Sequence, residues 1–421
     1  MENISDSIFT NKETGYWDFK NVYSIGIHKI VDYPATMVPD MQYELIKTLI
    51  ENDRTIKNIL DPFHGSGVTL VESKSQGIQP IGIDINPLAH LITKVKLEGV
   101  NKIELKKCTS KITIKLKEKN LHFREHYFKN IHKWFRPDII IDLSKLKYVI
   151  ESIEVANVRR YYWVCLINVI KKYSNTRNTT FKLHIKSQDD ISSLKNNVIN
   201  DFLRAVNTNF KFLPDYSRKN KYELMLGDSI EILKKYTDES FDLICTSPPY
   251  GDNATTVTYG QYSILPIYWI KHKDMGIKKC ALKLIETYSS IDSFSLGGKK
   301  KSEEIVESQI LLDYLKSINE SKQKKVINFF LDYSECLNEL TRVLRYNKCI
   351  VITLGNRRVD NKQVPLVEFT KHYLQSRGFI IIADLEREIP YKRMPKKVSR
   401  VADSAVDSMN QEHVLIAKKM G

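Results

Sequence analysis

The chain has 421 residues, 42% hydrophobic and 27% charged, which suits a globular protein with one large or two medium cores. It holds no apolar run near the roughly 18 residues of a spanning helix, no signal-peptide pattern at its start, and six scattered cysteines without a C-x-x-C pair. This predicts no membrane span, no secretory leader, no zinc ribbon and no disulfide scaffold, with thiols kept reduced in a cytosol. The net charge of +15 is uneven: residues 101–222 hold 26 Lys and Arg against 11 Asp and Glu, while the rest of the chain balances. A basic segment in a neutral body reads as a footprint for a polyanion, although a solvated Lys-rich surface has the same composition.

In chain order, residues 1–20 are polar and peripheral. Residues 28–39 are extended and punctuated by prolines, and they lead into an amphipathic helix over 39–52. A regular alternation follows. Residues 56–63 read as a buried strand, 68–76 as a helix stopped by Gly77, 81–85 as a second strand, and Pro87 opens another helix at its first turn. A βαβα start implies a parallel sheet. The alternation breaks over 98–221, which carries the basic excess and a helix with a strong apolar face at 158–172; we read this stretch as an insert.

The alternation resumes with a strand at 223–226, a short helix after Gly227-Asp228-Ser229 and a strand at 241–245. A long segment then runs to about 325, with a Ser/Gly/Lys-rich mobile loop at 289–302. Helix 326–345, strand 348–354, helix 363–377, strand 379–384 and strand 412–417 close the chain. Seven strands with alternating helices give an α/β fold class: a Rossmann-like, mostly parallel seven-stranded sheet with helices on both faces. The domain reading is 1–97 and 222–421 as two parts of one sheet domain, 98–221 as an inserted region, and 271–325 as a second insert.

Two segments carry chemistry. Asp61-Pro62-Phe63-His64-Gly65-Ser66-Gly67 ends the first buried strand, where Gly65 and Gly67 let backbone approach a ligand at a helix N-terminus. Asp61 can meet a charged cofactor or orient the loop. Asp84, 23 residues on, ends the next strand, where a carboxylate accepts hydrogen bonds from ribose hydroxyls; Asp228 follows the third strand, near the expected adenine edge. Conformational glycines and helix N-caps are the plainer readings of the same residues. The second segment, Thr246-Ser247-Pro248-Pro249-Tyr250, puts a hydroxyl, two stiffening prolines and an aromatic face at a strand mouth. A rigid turn is its plainer reading. Gly251-Asp252-Asn253 follows as a candidate for base or phosphate contacts, and Tyr259 and Tyr262 add aromatics that serve either there or in the core.

Together these motifs resemble those of S-adenosylmethionine-dependent DNA amino-methyltransferases, with Ser-Pro-Pro-Tyr leaning toward cytosine N4. The resemblance covers about 25–97 and 222–420 and is weak across 98–221. The loop departs from a phosphate-binding P-loop, having no G-K-[ST], and from the dinucleotide fingerprint, whose third glycine is Leu70 here. Asn86 and Pro87 match the family's continuation, and Tyr33-Pro34-Ala35 resembles its motif beside the cofactor. The resemblance implies S-adenosylmethionine held by Tyr33, Pro34, Ala35, Thr36, Asp61, Pro62, Phe63, Gly65, Ser66, Gly67, Thr69, Asp84, Ile85, Asp228 and Ser229. It implies catalysis by Ser247, Pro248, Pro249 and Tyr250, without a metal and without a covalent cysteine.

An exocyclic amine is a poor nucleophile because its lone pair is delocalised into the base. Ser247 Oγ and the Pro248 carbonyl are the expected acceptors of its protons, and Tyr250 offers a face to an extruded base. Asp252, Asn253, Arg177, Lys392 and Arg393 are the expected substrate contacts. The implied partners are double-stranded DNA and a cognate restriction endonuclease, in a restriction–modification or defence system of a bacterial cytosol or nucleoid. Segment 98–221 is the leading candidate for target recognition, and 271–325 the second. Alternatives are N6-adenine methylation, transfer-RNA guanine-N2 methylation, protein-glutamine methylation, and a non-catalytic DNA-binding subunit.

Overall fold

The computed structural model describes residues 6–13, 15–20, 26–177, 180–215, 221–253, 256–298, 306–388, 397–401, 404–407 and 411–421. Its centre is a seven-stranded sheet: β1 (Asn58–Asp61), β2 (Gln79–Asp84), β3 (Glu223–Leu226), β4 (Phe241–Thr246), β5 (Leu344–Gly355), β6 (Phe379–Glu388) and β7 (Gln411–Lys419). The spatial order is β3-β2-β1-β4-β5-β7-β6. The five strands from β3 to β5 run parallel, and β7 enters antiparallel between β5 and β6. This is the α/β fold that the alternation predicts.

Successive residues of a strand face opposite sides, so a sheet covered on both sides needs unbroken apolar runs. On one face Ile59, Leu243, Cys245, Val351, Val414 and Ile416 pack against Met41, Leu45, Ile46 and Leu49 of the helix Pro39–Asn52. On the other face Leu60, Ile244, Ile350, Ile352, Leu415 and Ala417 pack against the helices Glu320–Val343 and Leu366–Ser376.

Local chemistry sets the helix starts around the first crossovers. Asn86 is an N-cap whose side chain accepts from Leu88 N, with Pro87 at the first turn of Pro87–Glu98. Gly67 precedes Val68–Ser75 at φ +80, where a Cβ would meet Thr93 at 2.6 Å, so both backbone and space require glycine.

Segment 98–221 folds into the helices Lys102–Lys117, Pro137–Glu151, Ala156–Tyr173 and Val198–Phe210, with shorter turns between. These do not sit on the sheet domain as a separate body. Leu88, Leu91, Ile92 and Val95 of Pro87–Glu98 share one core with Tyr161, Tyr162, Trp163 and Ile167 of the insert. Ile264, Ile267 and Trp269 of the helix Tyr259–Trp269 join the same core. Arg159 donates to both carboxylate oxygens of Asp274 at 2.7 and 2.8 Å, and Trp163 Nε1 adds a third bond at 2.8 Å, tying the two inserts together.

The expected mobile loop at 289–302 is corrected over its first half. Residues Ser290–Phe294 form a short helix with Ser290, Ile291 and Asp292 buried, because Asp292 accepts from Gly260 N at 2.9 Å and Ile291 enters the core. Residues 299–302 lie outside the described residues. Among the described residues, no helix is long and apolar enough to cross a membrane.

Candidate active site

A cleft of about 1500 Å³ opens at the carboxyl ends of the parallel strands. A drug-sized ligand fills roughly 300–1,000 Å³, so this space exceeds what one nucleotide-type cofactor occupies. The carboxyl edge of an open parallel sheet is where such folds bind ligands, since helix N-termini and strand-end loops converge there.

One wall is the glycine loop. Phe63, Gly65 and Ser66 line the cleft, with Gly65 at φ +49. Asp84, at the end of β2, holds the loop in shape: its Oδ2 accepts from Gly65 N at 2.8 Å and its Oδ1 from Asn86 N at 2.7 Å. A carboxylate oxygen has two lone pairs, so these bonds leave Asp84 able to accept from a ligand hydroxyl. Asp228 lines the same cleft and caps Ser229–Leu233 through Ile230 N and Glu231 N. Asp84 thus both orients the loop and lines the cleft. Ile85 and Ser229 also line the wall, and Ser229 Oγ donates to Pro62 O.

Tyr33, Pro34, Ala35 and Thr36 form the facing lip. Ala35 sits at φ +48, a left-handed conformation that costs a non-glycine residue about 1–2 kcal/mol. Asn86 Nδ2 donates to Tyr33 OH at 3.1 Å and to Ser263 Oγ at 2.8 Å, joining lip, loop and helix Tyr259–Trp269. The Tyr33 ring stacks on Tyr259 at 6.0 Å. A backbone-lined loop with one carboxylate beside it, a second carboxylate one strand away and an apolar Phe63 fit the ribose, adenine and methionine portions of S-adenosylmethionine.

Four expected cofactor residues lie behind the loop instead of on the cleft wall. Asp61 is fully buried, and its Oδ1 accepts from Thr246 Oγ1 at 2.7 Å and from Phe63 N at 3.1 Å. Burial pushes its carboxyl up to about 7, against the lowering effect of those hydrogen bonds. Its position matches the loop-orienting option. Pro62, Gly67 and the buried Thr69 likewise support the loop from behind.

Ser247, Pro248, Pro249 and Tyr250 line the cleft beyond the end of β4. Ser247 Oγ and Tyr250 OH are 3.0 Å apart, and Tyr250 OH donates to Glu412 Oε1 at 3.1 Å. Burial first, and the Glu412 charge second, hold the Tyr250 phenol well above its ordinary range. Asn253 and Arg177 reach the cleft. Asp252 does not: it is buried in an ion pair with Arg357 at 3.2 Å, and Arg357 is the member that faces the cleft. This corrects its expected direct contact, because a carboxylate held by a guanidinium is turned from the space its partner fills. Lys392 and Arg393 lie outside the described residues.

Sequence reasoning missed several cleft residues. Glu412 and Arg387 face each other across β7 and β6 and are paired at 2.7 Å. The sequence carries no signal for this pair, because it forms only when the two strands come side by side. Arg357 lies flat on Gly251, where a Cβ would fall 1.5 Å from its Nη1. Lys171, on the insert helix, places its ammonium over the Tyr262 ring, and burial lowers it to about 7. Lys172, Arg177 and Lys182 complete a cationic rim from the same segment, with His184 beside them.

A family model described as DNA methylase, of the N6 and N4 type, matches residues 5–95. The chain is 28% identical to the Type II methyltransferase M.MvaI of Kocuria varians, over 99% of this chain and 96% of that one. It is 26% identical to the Type II methyltransferase M.BsoBI of Geobacillus stearothermophilus, over 80% and 68%. The match to M.MvaI runs through both inserts as well as the sheet, and the site carries the glycine loop and the Ser-Pro-Pro-Tyr turn on one cleft. Over this segment and these relatives, the chain is similar to S-adenosylmethionine-dependent DNA amino-methyltransferases.

Proposed function

We propose that this DNA methyltransferase modifies the exocyclic N4 amino group of cytosine in duplex DNA, after turning the base out of the helix. One observation carries the reading: a Ser-Pro-Pro-Tyr turn lines the same cleft as Gly65, Asp84 and Asp228, and the cleft has room for a base beside the cofactor. Bound against Gly65, Ser66, Asp84 and Asp228, S-adenosylmethionine supplies an electrophilic methyl group. The chain's own residues do the rest. Ser247 Oγ and the Pro248 carbonyl accept hydrogen bonds from the amino protons, which draws the nitrogen lone pair out of conjugation. The two prolines fix the backbone, so these acceptors need no reorganisation in the transition state. Tyr250 offers its ring to the extruded base, and Asn253 lies within the same wall for edge contacts.

The roles of the site residues follow from this reading, as does the division into a sheet domain and recognition segments. Segment 98–221 is the target-reading part, supported by Lys171, Lys172, Arg177 and Lys182 at the cleft rim. Phosphate contacts of that kind position the duplex, and base-edge contacts choose the sequence. The enzyme acts in a bacterial cytosol or nucleoid, within a restriction–modification system that pairs it with a cognate endonuclease.

Nucleoside mass spectrometry tests the reading. The protein is incubated with methyl-labelled S-adenosylmethionine and mixed-sequence duplex DNA, and the DNA is digested. Labelled N4-methylcytosine is expected. Labelled N6-methyladenine keeps the mechanism and overturns the base; label only in a parallel transfer-RNA tube overturns the substrate class.

A further inference from the structure

Ser247, Tyr250, Glu412 and Arg387 form one hydrogen-bonded line from the cleft into the sheet. Ser247 Oγ is 3.0 Å from Tyr250 OH, and Tyr250 OH is 3.1 Å from Glu412 Oε1. Arg387 Nη1 donates to Glu412 Oε2 at 2.7 Å, and Arg387 Nη2 donates to Asp18 O at 3.1 Å. Arg387 is 4% exposed and sits on β6, directly opposite Glu412 on β7. The far end of the line is therefore a guanidinium that always donates and never accepts.

The direction of every proton follows from that end. Arg387 donates to Glu412 Oε2, and Glu412 Oε1 is the acceptor for the next donor in the line. Tyr250 has one hydroxyl proton and gives it to Glu412. The contact between Ser247 and Tyr250 then closes only if Ser247 donates. With its single proton committed inward, Ser247 presents lone pairs to the cleft it lines. An exocyclic amine offers two N–H donors, and a serine that turned its proton outward would oppose one of them.

We infer that Glu412, held by Arg387, acts through Tyr250 to make Ser247 an acceptor toward the target amine. Glu412 is a positioning residue in this scheme, 162 residues from the turn it serves. The inference deepens the proposed reaction and rests on it. It also gives Tyr250 a second task, carried by its hydroxyl and separate from its ring.

The test compares Glu412→Gln, Tyr250→Phe and the double variant with the wild type. Single-turnover methyl transfer to mixed-sequence duplex DNA is measured beside calorimetric S-adenosylmethionine affinity and Tm. Glutamine can still accept from Arg387, but its amide then donates to Tyr250, turns the line around and drives the Ser247 proton into the cleft. Glu412→Gln is expected to slow transfer about 10- to 100-fold, the range one charge-assisted hydrogen bond supports. Cofactor affinity should stay within about twofold, since Glu412 belongs to the base side of the cleft.

Tyr250→Phe removes the connection without reversing it, so its loss should be smaller than that of Glu412→Gln. The double variant should recover to the Tyr250→Phe level, an outcome that simple structural damage does not produce. A wild-type rate in Glu412→Gln, or losses that multiply in the double variant, would overturn the inference. If Glu412→Gln lowers Tm sharply, Tyr250→Phe carries the test, because it leaves the Arg387–Glu412 pair intact; an unchanged rate there sinks the idea. A wild-type protein that labels no exocyclic amine removes the underlying reaction, and that result is visible in the wild-type tube alone.

Discussion

Asp84 and Ser247 separate binding from chemistry at the scale of single residues. Asp84→Ala removes the acceptor of Gly65 N and Asn86 N as well as a cleft carboxylate, so calorimetry should show S-adenosylmethionine affinity falling about tenfold or more. Ser247→Ala leaves the loop untouched and should lower turnover with nearly unchanged cofactor affinity. Equal damage to cofactor binding by both would refute this division. Asp61 makes a pH prediction. Its carboxyl ordinarily titrates near 3.8 and is pushed up to about 7, chiefly by burial. The folded chain thus keeps a proton that the unfolded chain has already lost, and this group's contribution to stability declines as pH rises from about 4 to about 7. Asp61→Asn retains an oxygen for Thr246 and Phe63 N and cannot ionise. Denaturant titrations of the cofactor-free protein should show a flatter pH profile for the variant, with stability at neutral pH at least equal to wild type. A steeper profile would mean Asp61 is ionised in the fold. The aspartates were legible in the sequence because strand ends announce them. Glu412 was not, since its meaning depends on Tyr250, in the turn beyond β4, and on Arg387, on β6.

Elements explain why the loop keeps its shape. Gly67 combines a left-handed φ with a neighbour, Thr93, that would touch any Cβ. Gly67→Ala should cost about 1–2 kcal/mol for the backbone and about 1–3 kcal/mol for overpacking, read as a fall in Tm. If Tm is unchanged, Thr93 can move aside and the tight approach is not needed. The start of Pro87–Glu98 was legible from its proline alone, because a first-turn proline is a short-range device. The helix Tyr259–Trp269 was not. It is apolar nearly all round and carries Pro266 inside, so it lacks the periodicity that marks a surface helix.

On the scale of the whole molecule, the basic insert is part of the core as well as a surface. Ile167 is fully buried in the core that the insert shares with Pro87–Glu98, and Ile167→Ala should cost about 2–5 kcal/mol. Deleting 102–210 should do more, because Leu88, Leu91, Ile92 and Val95 would lose their cover; the truncated chain is expected to be insoluble. A soluble, cooperatively folding truncation would show the two to be independent units. DNA affinity should fall steeply with salt, and replacing Lys182 with Ala should reduce the slope of log K against log salt by about one contact's worth.

The sequence by itself determined the seven strands, their parallel start, the glycine loop and the catalytic-type turn. Each of these is encoded by neighbours in the chain: apolar runs, turn residues and caps within a few positions. Only the tertiary structure decided that Asp61 stands behind the loop, that Asp252 is spoken for by Arg357, and that the insert shares a core with Pro87–Glu98. It also decided that Tyr250 leans on Glu412. Those outcomes depend on which side chains meet across segments far apart in the chain. Composition and spacing carry no record of such meetings until the sheet order brings the strand ends to one cleft.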